Sequence, residues 1–271
     1  MRLQDQLASN KKEKKALLAT NFYNFETLSA VLTAAKRLNT SLILQLSESS
    51  IHYMGLEVAK GLADSARSQF GVNAWLHLDH GQDTDLIKKC IDIGFDSVMI
   101  DASEMPFEEN IKTTSEIVKY ASKKNINVEA ELGYVAKLGQ DQEMVYTQPD
   151  EAREFVERTG VNALAIAVGS AHGFYKETPK LQLDLIEQIN EATSAALVLH
   201  GSSGIPHDQV KESIQRGITK INLATEIKNI FMKSLQEILS TTDEIDLRKV
   251  FPKATLKATD LVLEKLKMVN F

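Results

Sequence analysis

The stretch from Trp75 to Gly81, WLHLDHG, runs from apolar residues into a carboxylate, Asp79, flanked by the imidazoles of His77 and His80. A strand built only for packing would carry Val or Ile there, because burying unpaired ionisable groups costs several kcal/mol. Two further histidines sit among small residues: His172 in VGSAHGFY and His200 in LVLHGSSG. Three neutral imidazoles converging on one cavity suit a divalent ion, with Zn²⁺ bonded at about 2.0–2.1 Å and a further position left open for substrate. A carboxylate beside such an ion can move a proton as general acid or base. The other three histidines fit quieter roles. His77 points the same way as Asp79 but one layer deeper, as a hydrogen-bonded core residue; His52 and His207 lie near helix starts as surface polar groups. Gly169, Ser170, Gly173, Gly201, Ser202, Ser203 and Gly204, with NLATE opening a helix, offer backbone N–H groups and hydroxyls that could cradle a phosphate. The same residues are equally compatible with turn glycines and a helix-capping Thr.

These residues must be brought together by the elements that carry them. Eight short β-rich runs recur along the chain: ALLATN, SLILQLS, WLHLDH, SVMIDAS, VEAELG, ALAIAVG, ALVLHG and KINLAT. Between them lie segments with helical spacing, such as NFETLSAVLTAAKRL, DLIKKCIDIG, NIKTTSEIVKYASKK and DEAREFVERTG, several ending in Gly or a basic turn. Apolar strands alternating with helices predict a parallel sheet covered by helices, and eight units predict an α/β fold of the closed (β/α)₈ barrel type. No G-x-G-x-x-G or G-x-x-x-x-G-K-[ST] loop follows a strand to favour an open sheet. The chain, residues 1–271, is expected to be a single barrel domain finished by an extra C-terminal helix. In such barrels chemistry occurs at the C-terminal strand ends. Asn21, Ser47, Asp79 with His80, Asp101, Glu131, His172, His200 and Asn222 fall there, strand after strand.

Composition narrows the class. With 43% hydrophobic and 25% charged residues the chain has the make-up of a globular enzyme, and no apolar run approaches the roughly 20 residues that span a bilayer. The first residues carry no cleavable secretion signal, which makes the cytoplasm the expected location and a membrane partner unexpected. A net charge of −6 argues against a nucleic-acid partner. The single cysteine, Cys90, excludes an intramolecular disulfide and reads as core. The NKKEKK cluster reads as solvated surface, and the exposed C-terminal helix suits a homodimer or homotetramer.

In their order along the chain, LATNFYNFET, LILQLSESS, LHLDHG, VMIDASEMPFEEN, VEAELG, AVGSAHGFY, LVLHGSSG and KINLATEIK resemble the class II, metal-dependent ketose-bisphosphate aldolases. The resemblance covers nearly the whole chain. It implies Zn²⁺ on His80, His172 and His200, with Asp101 and Glu131 lining an alternate position for a mobile ion. It makes Asp79 the acid/base at the hydroxyl of the bond being broken. It also places the phosphate of the dihydroxyacetone phosphate half against Gly173, Gly201, Ser203, Asn222 and Thr225, with a monovalent cation, Na⁺ or K⁺, nearby.

The chemistry agrees: cleaving a C–C bond beside a ketone leaves an enediolate, which a Lewis acid stabilises by several kcal/mol. A Schiff-base route would need a lysine at a strand end, and none stands there.

Two departures mark this chain within the family. Many relatives follow ELG with a Gly-Gly loop carrying an acid that protonates the enediolate carbon; here the sequence is YVAKLGQDQEMVY, where Asp141 matches best and Glu143 next. After the eighth run stands Ala224, as in tagatose-bisphosphate members, where many fructose-type enzymes carry an acid or amide, and FPKATLKATD lacks the Arg they use for the distal phosphate. The expectation is reversible cleavage of a ketose 1,6-bisphosphate, tagatose or fructose type, into dihydroxyacetone phosphate and glyceraldehyde 3-phosphate. The alternatives are an aldolase for a ketose 1-phosphate with another distal group, or a metal-dependent sugar-phosphate epimerase.

Overall fold

A computed structural model describes residues 1–135, 145–175 and 177–270. Eight strands close into a parallel barrel in sequence order: β1 Leu17–Asn21, β2 Leu42–Ser47, β3 Ala74–Gly81, β4 Ser97–Ile100, β5 Asn127–Leu132, β6 Ala163–Ile166, β7 Ala196–Leu199 and β8 Ile218–Leu223. β8 returns to β1 through pairs such as Leu18 with Ile221 and Ala19 with Asn222, which leaves no strand edge exposed. Helices α2 Phe25–Leu38, α4 Leu56–Phe70, α5 Thr84–Ile93, α6 Phe107–Ser122, α7 Pro149–Thr159, α8 Leu183–Ala192, α9 His207–Gln215 and α10 Thr225–Leu239 follow the strands in turn, with the short α3 Glu48–Met54 ahead of α4.

The expected helix boundaries carry visible signals. Asn24 and Thr27 form a reciprocal capping box at the start of α2, and Gly94 and Gly160 end α5 and α7 in the left-handed conformation. Five runs stop earlier than the sequence suggested, at Ile100, Leu132, Ile166, Leu199 and Leu223, so Asp101 and His200 sit on the first loop residue beyond their strands rather than within them.

Alternation along each strand separates two cores. Outward residues such as Leu44, Leu76, Val98, Leu164 and Ile221 pack under the helices. Inward residues fill the barrel, and their polarity rises toward the C-terminal end. Along β3 the inward series is Trp75, His77, Asp79, and along β5 it is Asn127, Glu129, Glu131. The lower, apolar layer contains Leu17, Ala19, Ile43, Trp75, Met99, Ala163, Ala196 and Val198, and is completed by Leu3 and Leu7.

Leu3 and Leu7 belong to α1, Leu3–Glu13, which precedes the barrel and floors it. The lysine cluster is solvated surface at Lys12, Lys14 and Lys15, as expected, with Lys11 the exception. Lys11 turns inward and donates to the carbonyls of Thr193 and Ala195 at 2.6 and 2.8 Å, and burial lowers its pKa to about 8. The C-terminal helix α11, Leu247–Val269, is present as expected but is not freely exposed: Val250, Ala254, Ala258, Val262 and Leu266 are buried where it packs on α2 and α10. Cys90 is buried in α5 with its thiol pushed up to about 12 by burial, first, and by Glu48. No helix among the described residues is long and apolar enough to cross a membrane.

Candidate active site

Consecutive strand residues point to opposite faces, yet Asp79 and His80 both face one cavity. The backbone explains how. His80 adopts φ +50°, in the left-handed region, and the β3–β4 register shifts between Leu78 and Gly81. This bulge turns the imidazole back toward the pocket, at a cost of order 1–3 kcal/mol for a non-glycine residue held in that region. Gly81 is what allows it: a Cβ there would lie 2.6 Å from the carbonyl oxygen of Met99 and 2.8 Å from Ile87 Cγ1.

Three imidazoles meet beside Asp79. Ring centroids lie 4.7 Å apart for His80 and His200, 5.0 Å for His80 and His172, and 5.7 Å for His172 and His200. One ligand nitrogen from each falls within 4.8 Å of the others. His80 Nδ1 is bound to Asp101 Oδ2 at 2.7 Å, and its Nε2 faces Nδ1 of His200 at 2.9 Å. The two nitrogens that face one another are thus the ones an ion would draw on, and this donor set fits a tetrahedral divalent metal with one open position. His80, Asp101 and Glu131 form a second group within the same limit. Asp101 is held well below the carboxylate range: burial opposes ionisation, but His80 and Ser103 outweigh it. Glu131 is the reverse, pushed up to about 8 by burial and by Asp101, with Oε2 unpartnered among the described residues.

The electrostatics assign different states to the histidines. Burial lowers the pKa of His80, but Asp79, Asp101 and Glu131 more than compensate and raise it to about 9. His200 and His77, fully buried, are held neutral by burial and by neighbouring cations, Lys220 among them. Asp79 accepts from Asn21 Nδ2 at 3.0 Å and Asn222 Nδ2 at 3.3 Å. Burial raises its pKa, yet the charged His80, first, and Lys220 overcome that and keep it below the ordinary value, so that it stands ionised and free to accept a proton.

A cavity of ≈ 280 Å³ opens above this cluster. Asn21, Ser47, Gly173, Gly201, Ser203, Asn222, Ala224 and Thr225, all singled out from the sequence, line it together with Asp79, His80 and His172. Gly201, at φ +65°, passes so close to the loop after β6 that a Cβ would lie 2.4 Å from the carbonyl oxygen of Ala171. Tyr175 fastens the two loops, accepting from Ala171 N at 2.6 Å and donating to Gly201 O at 2.8 Å. The residue before α10 is Ala224, which has no side chain to cap the helix, so the first N–H groups of α10 are left for an anion at the cavity wall. Thr225 is therefore the first helical residue and not the cap.

Sequence reasoning missed Tyr23, Ser49 and Lys228, which also line the cavity, and Glu129 and Lys220, buried beneath it. His77 takes its expected core role, with Nδ1 2.7 Å from Ser97 Oγ, and His52 and His207 are exposed on α3 and α9. Asp141 and Glu143 lie outside the described residues.

The comparisons agree with this architecture. The family model described as "Fructose-bisphosphate aldolase class-II" matches residues 1–271. A fructose-bisphosphate aldolase of Geobacillus stearothermophilus is 41% identical over 259 residues, covering 91% of this chain and 89% of that one. One from Staphylococcus aureus is 38% identical over 276 residues, covering 98% and 95%. Among solved structures, the YdjI aldolase from Escherichia coli K12 superposes with a TM-score of 0.89 at 32% identity, over 98% of this chain and 96% of that one. With a closed barrel, a histidine cluster at its mouth and a match over its full length, the chain belongs to the class II fructose-bisphosphate aldolase family.

Proposed function

We propose that this chain is a zinc-dependent aldolase cleaving a ketose 1,6-bisphosphate, tagatose or fructose type, into dihydroxyacetone phosphate and glyceraldehyde 3-phosphate. The observation that carries this reading is Asp79 beside a cluster of three imidazoles, two of which, His80 and His172, line the same cavity as Asp79, with the uncapped start of α10 in its wall and His200 buried behind it. His80, His172 and His200 would hold the Zn²⁺, with Asp101 and Glu131 as the alternate position. Bound there, the ion supplies Lewis-acid polarisation of the ketone.

The protein's own groups do the rest. The helix N-terminus, Ser203, Gly173, Gly201 and Thr225 receive the phosphate next to the ketone and fix the substrate's register. A Na⁺ or K⁺ ion beside this phosphate belongs to the same reading. Asp79 takes the proton from the C4 hydroxyl as the C3–C4 bond breaks and the aldehyde carbonyl forms, and returns it in condensation. Asn21 and Asn222 keep the carboxylate turned to the cavity. Asp141 is assigned protonation of the resulting carbanion by its sequence position alone. Ser47 and Ala224 line the same cavity, and Ala224, in a place where many fructose-type relatives carry an acid or amide, offers no polar side chain to discriminate the C4 epimers. Cytoplasmic placement and a homodimer or homotetramer complete the proposal; the exposed Phe25, Leu247 and Leu256 between α2 and α11 offer an apolar face for association.

The test is to incubate the protein with candidate ketose phosphates and trap released triose phosphate, with and without chelator. Metal-dependent release supports the assignment. Epimerised ketose without triose phosphate would replace it with the epimerase, and no turnover of either kind would refute both.

A further inference from the structure

Below the histidine cluster the barrel interior holds a second polar layer that the reaction does not use. Glu129 on β5 and Lys220 on β8 are both completely buried, and their carboxylate and ammonium meet at 2.8 Å between Oε2 and Nζ. Lys220 Nζ also lies 3.4 Å from His77 Nε2, whose other nitrogen meets Ser97 Oγ, itself bonded to Asn127 Nδ2 at 2.8 Å. Two charges sealed in a barrel carry a large desolvation cost, and well-packed apolar residues would serve stability as well. Their placement suggests what they do instead. The second carboxylate oxygen of Glu129, Oε1, lies 2.8 Å from Nε2 of His200.

We infer that the Glu129–Lys220 pair is a positioning device for the metal site: it fixes the tautomer and ring angle of His200 so that Nδ1 presents its lone pair to the ion. The inference rests on the reading of His80, His172 and His200 as the ligands. A carboxylate can only accept, so at 2.8 Å it requires a hydrogen on Nε2, and a neutral imidazole protonated at Nε2 has its free lone pair at Nδ1. That nitrogen is the one facing His80 Nε2. Asn222 Nδ2 lies 3.1 Å from the same Nε2, but it also donates to Asp79 Oδ1 and so does not require the opposite tautomer. Lys220 completes the device: its ammonium holds Glu129 as an acceptor in a place without water. An isosteric amide at position 129 could present either its oxygen or its NH₂ to His200, and so would not enforce one tautomer.

The test measures binding of the metal itself in the full-length protein stripped by chelator. Zn²⁺ affinity is read by competition with a chromophoric chelator, and ligand geometry from the visible absorption of the Co²⁺ form. Glu129→Gln/Lys220→Met removes both charges while keeping shape. Glu129→Asp keeps the charge for Lys220 but withdraws the carboxylate from His200, so it tests the contact even where the double variant does not fold. Both should weaken Zn²⁺ binding about 10- to 100-fold, the range for loss of an outer partner of a metal-bound histidine, and alter the Co²⁺ spectrum. Ser97→Ala loosens the same layer without touching His200 and should lower thermal stability at unchanged affinity. Wild-type affinity and spectrum in either folded variant overturns the inference, as does an equal loss of affinity in Ser97→Ala, which would mark the layer as structural support alone. Failure of the wild-type protein to bind Zn²⁺ would instead overturn the ligand assignment.

Discussion

Replacing Asp79 by Asn removes the proton acceptor while keeping its shape. Among the described residues, Asp79 Oδ1 and Oδ2 accept from Asn222 and Asn21, so neither the histidine cluster nor its ion depends on the carboxylate as a ligand. Loss of a positioned acid/base slows catalysis by roughly 10²–10⁴-fold, about 2.7–5.4 kcal/mol of transition-state stabilisation. The upper half of that range is expected here, because the cavity offers no substitute among the described residues. Among the described residues, the other titratable side chains lining it are His80 and His172, assigned to the ion, Tyr23 and Lys228. Burial and Asp79 push the Tyr23 hydroxyl above its ordinary range, so it is no base. A side cost arises because the introduced amide must turn its NH₂ toward the NH₂ of Asn21 or Asn222, a mismatch of about 1–3 kcal/mol in stability. Triose phosphate release gives kcat, metal analysis gives occupancy, and thermal melting gives the fold. The expected result is full metal occupancy, a modestly lowered Tm, and kcat down by about 10³–10⁴-fold with KM little changed. Asp79→Ala, which leaves room for a small acid, should be partly rescued by formate. Turnover of Asp79→Asn within about tenfold of wild type, well short of the acid/base range, would refute the assignment, and so would loss of metal in the variant.

Three further outcomes follow from the geometry. Gly81→Ala places a methyl group against the Met99 carbonyl and Ile87, and should lower stability by about 2–4 kcal/mol, with metal affinity falling as the bulge is displaced; a melting curve matching wild type would show the bulge to be pliable. His80 titrates at about 9 without metal, so near neutral pH it is protonated, binding an ion must expel that proton, and apparent affinity should fall as pH drops below about 9; calorimetry in buffers of different ionisation heat should find close to one proton released per ion, and none would contradict the electrostatics. Tagatose and fructose 1,6-bisphosphates should differ in kcat/KM by less than about 10²-fold, or roughly 2.7 kcal/mol, because Ala224 brings no polar side chain to the cavity; a larger preference for fructose would point to Lys228, Tyr23 or Ser49 as readers.

Much of the barrel is legible in the sequence because each strand combines an apolar run with a polar residue at its end, and the polar residues share one destination. Where legibility failed, the reasons are local. Glu129 stands in VEAEL two residues before Glu131, and Lys220 in ITKIN between Thr219 and Ile221, charges within β-rich runs like the signal that drew attention to His77, but with no strand end to give them a role. Strand ends at Ile100, Ile166 and Leu199 depend on where pairing stops, which apolar composition does not report. The bulge at His80 depends on Gly81 fitting beneath Met99, a long-range contact. α1 shows only Leu3 and Leu7 among polar residues, too few for a periodic stripe, although both are almost completely buried.

That helix turns the barrel into a blind well. Leu3 and Leu7 share one buried apolar cluster with Trp75 and Met99, which closes the barrel at the end away from the pocket. The dielectric around Glu129, Lys220 and His200 is thereby governed from the side opposite the chemistry, and a segment that makes no contact with substrate helps decide how strongly every charge at the mouth is felt. Variation in α1 is a route by which catalytic power could be tuned without altering a single residue of the pocket.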